Sequence, residues 1–500
     1  MAALAVTAAV WAAAASALFL PHLTDNGDEA VYLLQAESIR AGHLFPPLAE
    51  PAGAFLPWLS RPAGDHYVTK YTPVFPGFIA LSRGVFGSDR AALALAAAGA
   101  VVACYCLARE VLGRRRDAAV AAAFLAGSPI FVIQSATYLS YLFNAALLMG
   151  FAAALLAGLR RRRRGLMTAA GFLLGLAVFA RPFDAALFAG PLLLWWGWSG
   201  RRDLRRRLSE AGWLAVGALP PLVAMVIYFR LATGSFFRPP FTFVGPDDTL
   251  GFGPKRMYAG MPFLDYTPGR ALVAFGRLIV LTGFWGFGGL LLIALALVGY
   301  RTYRRRAGRW LAPVAVTVPL GYAFFWGSFS SSEWGGPWRF GPFYWLPVMV
   351  PASILAAAAF ARLCRWDRLV ARFVAGGMAV LSLFVVVRAL AEHRQYGAVR
   401  ERLYAAPRAA AAELDRAVVF LPPLDGPYLL QPFSLARNPT FDGPVVWALD
   451  RGARKNLDVV QRFPGRTPYR VLPGVDDRSP TRLQRLTVVN GRLVSDSAGQ

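Results

Sequence analysis

The chain has 500 residues, 56% of them hydrophobic, a mean hydropathy of +0.44 and a formal net charge of +25. That much apolar surface exceeds what a soluble core of this length buries, which argues against a soluble enzyme and for a membrane protein. Nucleic-acid binding is disfavoured too, because a stripe for a phosphate backbone is not divided into short arginine runs between apolar segments.

In chain order, apolar runs recur near 1–20, 91–110, 118–136, 142–159, 166–180, 184–199, 211–231, 278–299, 310–327, 342–361 and 369–391. Most are about 17 to 25 residues long, enough at ~1.5 Å per residue to cross a hydrocarbon core of about 30 Å. The expectation is an all-α polytopic membrane protein with about eleven transmembrane helices. The first run contains "ASA" at 15–17 but lacks a basic n-region, and it reads as an uncleaved anchor rather than a signal peptide. Arginine-rich stretches at 113–117, 160–164, 201–207, 301–309 and 362–368 each follow an even-numbered span, so all fall on one side. The positive-inside rule makes that side the cytoplasm, with the N-terminus inside and every alternate loop outside. Cys104, Cys106 and Cys364 lie in spans or at cytoplasmic ends, so the outward regions hold no disulfide or thiolate metal site.

Two domains are expected: residues 1–391, with outward loops at 21–90, 232–277 and 328–341, and a tail at 392–500. In the tail, "RAVVFL" from Arg416, "GPVVWAL" from Gly443, "RKNLDVVQRF" from Arg454 and "TPYRVL" from Thr467 alternate strand-like and helix-like patterns. A small extracytoplasmic α/β domain fits.

The first outward loop opens "LTDNGDEAVYLLQAE", with Asp25, Asp28 and Glu29 close together in a chain of 28 acidic residues. Val31, Leu33, Leu34 and Ile39 recur at helical spacing and Gly42 is placed to end the helix, which beside a membrane reads as an interfacial amphipathic helix. Asp25 and Asn26 are available as N-caps, and Asp28 and Glu29 fall in the first turn, where the helix dipole favours ionised carboxylates. Capping alone accounts for one such residue. Three are present.

Lysine occurs only at 70, 255 and 455. Lys70 lies in "GDHYVTKYTPVFPG" beside His66 and Tyr71, and Lys255 lies in the long aromatic loop with Arg238, Arg256 and Arg270. An ammonium on a flexible stem suits a phosphate, or it extends into lipid headgroups. The long loop is either a surface for an amphiphile with an anionic head or a packed loop. Arg181 and Asp184 in "FARPFDAALF" either pair with each other or meet a ligand, since Pro182 leaves backbone groups to be satisfied. Glu333 and Arg339 in "SSSEWGGPWRFGPFYW" admit a headgroup anchor or a clamp on an anion. The four histidines, His22, His43, His66 and His393, show no metal-ligand spacing, so no histidine-built metal site is expected.

"GDEAVY", "KYTPVFPGFIAL", "ARPFDAALF" and "WRFGPFYW", in this order over roughly residues 1–390, resemble the GT-C superfamily of polytopic glycosyltransferases, which take sugars from lipid-phosphate carriers; protein O-mannosyltransferases and aminoarabinose transferases are examples. The resemblance implies a GT-C-like fold and an inverting glycosyltransferase, hexosyl- or pentosyl-, at the outer face of the plasma membrane. The donor would be a polyprenyl-phosphate-linked sugar and the acceptor an envelope glycan, lipid or protein. Membrane lipids would be the other partners, and no cofactor is implied. By the same resemblance Asp28 matches the catalytic acidic position, with Glu29 beside it. Lys70 matches a lysine that contacts the carrier phosphate, although Tyr71 and Thr72 stand where the family has proline. His66, Tyr71, Arg181, Lys255, Glu333 and Arg339 are the remaining candidates for the donor site. A second carboxylate that some relatives carry on a later span has no match, since "TYLSYLFNAAL" offers only Ser140 and Asn144. The rival from another class is a transporter or flippase of an envelope precursor. Charges concentrated at span ends and in outward loops, rather than at mid-membrane, favour surface chemistry. Arginine-rich, cysteine-poor usage suits a bacterial plasma membrane.

Overall fold

The computed structural model describes residues 1–199, 203–302, 308–333, 336–400, 405–422, 439–472 and 481–496. The chain is mostly helical and divides into two compact units. One comprises Met1–Leu18, Arg90–Arg230 and Asp247–Glu392, the other Phe19–Asp89, Leu231–Pro246 and His393–Gln500.

The first unit is a helical bundle built on small residues. Helix Ala2–Leu18 buries Ala5, Ala8, Ala12 and Ala15, spaced every three or four positions, and packs on helix Arg90–Leu112, whose buried Ala92, Ala96, Ala97, Ala100 and Cys104 let the backbones approach closely. Helix Arg90–Leu112 also packs on helix Ser140–Arg161, which in turn packs on helix Arg164–Ala180. Among the described residues, five helices are long and apolar enough to cross a membrane: Arg90–Leu112, Ser140–Arg161, Leu204–Thr233, Pro337–Trp366 and Arg368–Gly397. Shorter apolar helices cover Ala2–Leu18, Val74–Phe86, Arg164–Ala180 and Leu311–Ala323.

Two expected spans differ from single straight helices. The run at 118–136 forms helices Arg115–Ala126 and Pro129–Gln134, because Pro129 has no N–H to continue the ladder and instead starts a new helix. The run at 278–299 is shared by helices Pro268–Trp285 and Leu290–Thr302, bent by 93°. Gly288 and Gly289 lie between them with φ of +71° and +64°, a region costly for other residues. The Gly288 N–H donates to Ser382 Oγ at 2.8 Å, and a Cβ there would stand 2.3 Å from Met378 Cγ, so the corner needs glycine on two counts.

In the second unit, helix Asp28–Arg40 packs on helix Val74–Phe86, which lies where the sequence suggests only a loop. Hairpin strands Ser60–Ala63 and His66–Thr69 pair antiparallel with Ser60 opposite Thr69, and the short helix Pro240–Val244 packs on the second strand. The tail forms a five-stranded sheet in the order Val445–Leu449, Ala417–Leu421, Thr467–Leu472, Arg482–Val489, Arg492–Ser495; the first three are mutually parallel and the rest antiparallel. Strand Ala417–Leu421 is paired on both sides and buried at all five positions. Its alternating residues serve two cores, Val418 and Phe420 on one face and Ala417, Val419 and Leu421 on the other. The first of these cores takes in Ala49, Ala54 and Phe55 from the first loop, and Phe55 sits edge-on to Phe441 and Phe463.

Candidate active site

In the second unit, helix Asp28–Arg40 begins at the acidic pair. Asn26 Oδ1 accepts the Asp28 N–H at 3.1 Å, and the Glu29 carboxylate accepts the Thr24 N–H at 2.7 Å together with the Thr24 hydroxyl. Glu29 is 1% exposed and closes the helix start, whereas Asp28 remains half-buried at the first turn. The two adjacent carboxylates therefore occupy different environments. Every residue from Glu29 to Ala36 is buried, polar Gln35 included, so this is a core helix of its unit and not a helix with one wet face, as the amphipathic reading expects. Gly42 takes φ +86° and its N–H reaches Ile39 O at 3.1 Å, ending the helix as expected.

Tyr32, one turn beyond Asp28, carries the stacked ring of Tyr71 at 4.6 Å and the edge of Phe75 at 5.4 Å. That stack ties the acidic helix to the segment holding Lys70. Lys70 is 4% exposed and its N–H donates to Leu59 O at 2.9 Å. Its ammonium lies over the Phe241 ring, 4.2 Å from the centroid. Cation–π attraction of about 2 kcal/mol or more in a desolvated setting offsets part of the cost of burying the charge. Nearby in the same unit, Phe243 is flanked by Arg61 and Arg238 guanidinium groups at 5.0 and 5.1 Å. His66 stacks on Phe45 at 4.6 Å, and its Nδ1 lies 2.9 Å from Asp65 Oδ1. That hydrogen bond holds the exposed Asp65 carboxyl below its usual range. Tyr67 donates to Ala52 O at 3.2 Å, and burial pushes its phenol well up, with Glu50 adding to the effect.

In the first unit, Arg181 and Asp184 pair with each other, and the Tyr322 hydroxyl also donates to Asp184. Arg181 donates to Ser140 Oγ at 3.4 Å and lies over the Tyr141 ring at 4.0 Å. Rings of Tyr141, Tyr322, Phe325, Phe343 and Tyr344 pack around this pair, Tyr322 and Tyr344 with centroids 5.0 Å apart. Lys255, 5% exposed, donates to Thr249 Oγ1 at 2.8 Å and Leu250 O at 3.2 Å; Leu250 in turn bridges to Phe325 at the edge of the aromatic cluster. Glu333 faces Arg277 at 3.4 Å. Arg339 is 8% exposed and its guanidinium occupies the space above Gly336, where a Cβ would fall 2.6 Å from Nη2. Gly336 has φ +64°.

The structure thus gathers Asp28, Glu29, His66, Lys70 and Tyr71 in one unit and Arg181, Lys255, Glu333 and Arg339 in the other. Several residues beside them escape sequence reasoning. Tyr32 reads as one more core position until its ring is seen against Tyr71. Phe241 is far in sequence from Lys70. Asp248 is 3% exposed and accepts the Trp326 indole N–H at 2.6 Å; the adjacent acids Asp247 and Asp248, in a chain short of carboxylates, are the signal that marks it.

Comparison with known proteins agrees with this architecture. Residues 70–228 match the model of the dolichyl-phosphate-mannose-protein mannosyltransferase family, and residues 417–498 match a domain of unknown function. No curated protein sequence matches the chain. The crystal structure of ArnT from Cupriavidus metallidurans bound to undecaprenyl phosphate superposes with a TM-score of 0.57 at 15% identity, covering 92% of each chain. The same enzyme in its apo state gives 0.54 at 15% identity, over 89% of this chain and 87% of that one. The chain has the fold of ArnT with a small C-terminal sheet domain, and its resemblance is to the GT-C superfamily of polytopic membrane glycosyltransferases.

Proposed function

We propose that the protein is an inverting glycosyltransferase that moves a sugar from a polyprenyl-phosphate donor to an acceptor hydroxyl at the outer face of a bacterial plasma membrane. The observation that carries this reading is the buried Lys70 ammonium over Phe241, in the same unit as Asp28 and linked to its helix by the Tyr32–Tyr71 stack. A buried cation beside an aromatic ring suits the head of a lipid phosphate that takes up a second charge as it leaves. Asp28, ionised at a helix start, takes the acceptor proton as the acceptor oxygen bonds to the anomeric carbon. The bond from that carbon to the phosphate oxygen breaks on the opposite side, and the electron pair departs with the polyprenyl phosphate. Lys70 and the arginines near Phe243 neutralise it. His66 and Tyr71, in the same unit, complete the donor surface, and Glu29 supports the helix that presents Asp28.

The composition of the second unit supports the membrane orientation. Its three segments, Phe19–Asp89, Leu231–Pro246 and His393–Gln500, form one compact body and must share one side of the membrane. An even number of crossings must therefore separate them. Six spans expected between residues 90 and 231 satisfy this. Between 247 and 392, helices Leu311–Ala323, Met349–Trp366 and Arg368–Arg400 are read as three crossings and the bent pair Pro268–Trp285 and Leu290–Thr302 as a fourth. With the arginine-rich connections inside, this unit lies outside, consistent with eleven spans, a cytoplasmic N-terminus and an extracytoplasmic C-terminus.

The test is to incubate the purified protein in nanodiscs with a panel of polyprenyl-phosphate sugars and candidate acceptors and to measure release of carrier phosphate. Release dependent on donor, acceptor and Asp28 supports the reading. Movement of intact lipid across the bilayer without cleavage would instead identify a flippase.

A further inference from the structure

The end of helix Pro182–Ser199 and the segment from Arg309 into helix Leu311–Ala323 enclose a cavity of about 550 Å³. That volume is in the ~300–1,000 Å³ range of small-ligand sites. Its walls are the indoles of Trp195, Trp198 and Trp310. The two hydroxyls in the lining are turned away from it. Thr317 Oγ1 donates to Leu187 O at 2.8 Å, the carbonyl whose helical donor is missing because Pro191 has no N–H, and Ser199 Oγ donates to Trp196 O at 3.2 Å. The interior is therefore apolar. Leu194 and Trp198 at the rim are 76% and 71% exposed, as lipid-facing side chains of a membrane helix are, so the slot opens toward the hydrocarbon.

One charged group belongs to the lining, Arg309. It is exposed and makes no ion pair among the described residues. Beyond helix Pro182–Ser199, Arg206 and Arg207 are already engaged: they bind Glu210 at 2.7 and 3.0 Å, and Arg207 covers Trp196. An apolar, tryptophan-walled slot with one uncommitted guanidinium at its mouth, between helix ends flanked in sequence by the arginine runs at 201–207 and 301–309, matches an amphiphile with a hydrocarbon chain and an anionic head. We infer that this cleft binds one anionic glycerophospholipid, an acyl chain between the indoles and the phosphate at Arg309. None of its lining residues is assigned to sugar transfer, and the inference does not depend on that assignment.

Native mass spectrometry of the full-length protein, released from micelles holding equal phosphatidylglycerol and phosphatidylcholine, tests this. One phosphatidylglycerol is expected to be retained per chain, with a preference that weakens as salt is added. Arg309→Gln should lower that retention about fivefold, the worth of one arginine at an anionic head, and Arg309→Lys should restore most of it. Trp198→Ala should lower retention of both lipids while the elution profile stays unchanged. Equal retention of the two lipids by the wild type overturns the inference without recourse to any variant. Unchanged retention by folded Arg309→Gln, one-for-one displacement by undecaprenyl phosphate, or a lipid-free dimer that buries the cleft would each overturn it as well.

Discussion

Asp28 and Glu29 are adjacent carboxylates with opposite assignments, and exchanging each for its amide separates them. Glu29 is 1% exposed and holds the N–H and hydroxyl of Thr24. Hydrogen bonds to a charged group contribute about 1.5–3 kcal/mol each, roughly twice the neutral kind. Glu29→Gln keeps the volume and one acceptor oxygen but loses the charge, so about half of two such bonds, roughly 1.5–3 kcal/mol, should disappear. The expected result is a lower thermal midpoint with turnover by the folded fraction largely retained. Asp28→Asn changes neither the Asn26 cap nor the Thr24 bonds. It should leave the midpoint in place and lower turnover about 10²- to 10⁴-fold, the contribution of a general base. Release of carrier phosphate in nanodiscs, with midpoints from fluorescence-detected size-exclusion chromatography, measures both. The opposite pattern, near-normal turnover in Asp28→Asn and a catalytic loss at unchanged midpoint in Glu29→Gln, would refute the assignment.

Lys70→Met keeps an unbranched stem against Phe241 but removes the charge, and should slow carrier-phosphate release about 10²- to 10³-fold with the fold intact; an unchanged rate would place the phosphate elsewhere. Gly288→Ala introduces a Cβ at φ +71° against Met378, and should sharply reduce the yield of monodisperse protein relative to Gly276→Ala, where a Cβ meets open space. Burial pushes the Tyr266 phenol, which donates to Ala323 O at 2.8 Å, up to about 12 from 10.0. Between those two pH values the unfolded chain releases this proton and the folded chain retains it, so stability present below pH 10 falls as pH rises through that window. Tyr266→Phe should flatten that part of the alkaline unfolding curve.

What is legible in the sequence follows from local pattern. Helix Asp28–Arg40 announces itself by its acidic start, its apolar spacing and Gly42, and the tail by the alternation of Val418, Val419 and Phe420 with a helical stretch. Pairing between distant segments is not legible. Lys70 and Phe241, Asp248 and Trp326, and Phe55 with Phe441 and Phe463 meet through the tertiary fold, and single-sequence periodicity contains no term for such contacts. The amphipathic reading of helix Asp28–Arg40 fails for the same reason: Gln35 and Ser38 are buried, with Gln35 Nε2 donating to the distant Tyr71 O at 3.5 Å and Ser38 Oγ to His43 O at 2.9 Å. Breaks at Gly127–Pro129 and Gly286–Gly289 carry visible residues, yet hydropathy averages over them. Arg181 and Asp184 are the case where the bland alternative, mutual pairing, is the geometry found.

The core that seats Phe55 against Phe441 and Phe463 also fixes an order of events during synthesis. Loop residues 49–55 leave the ribosome early, but the strands that shelter them arrive only after the last membrane helix has been made. Closing so distant a contact is entropically slow, and until it closes the early loop exposes apolar surface. The nascent chain therefore passes through a stage with its bundle made and its second unit unfinished, so a chain stopped near residue 400 should be not a smaller working protein but a target for quality-control proteases.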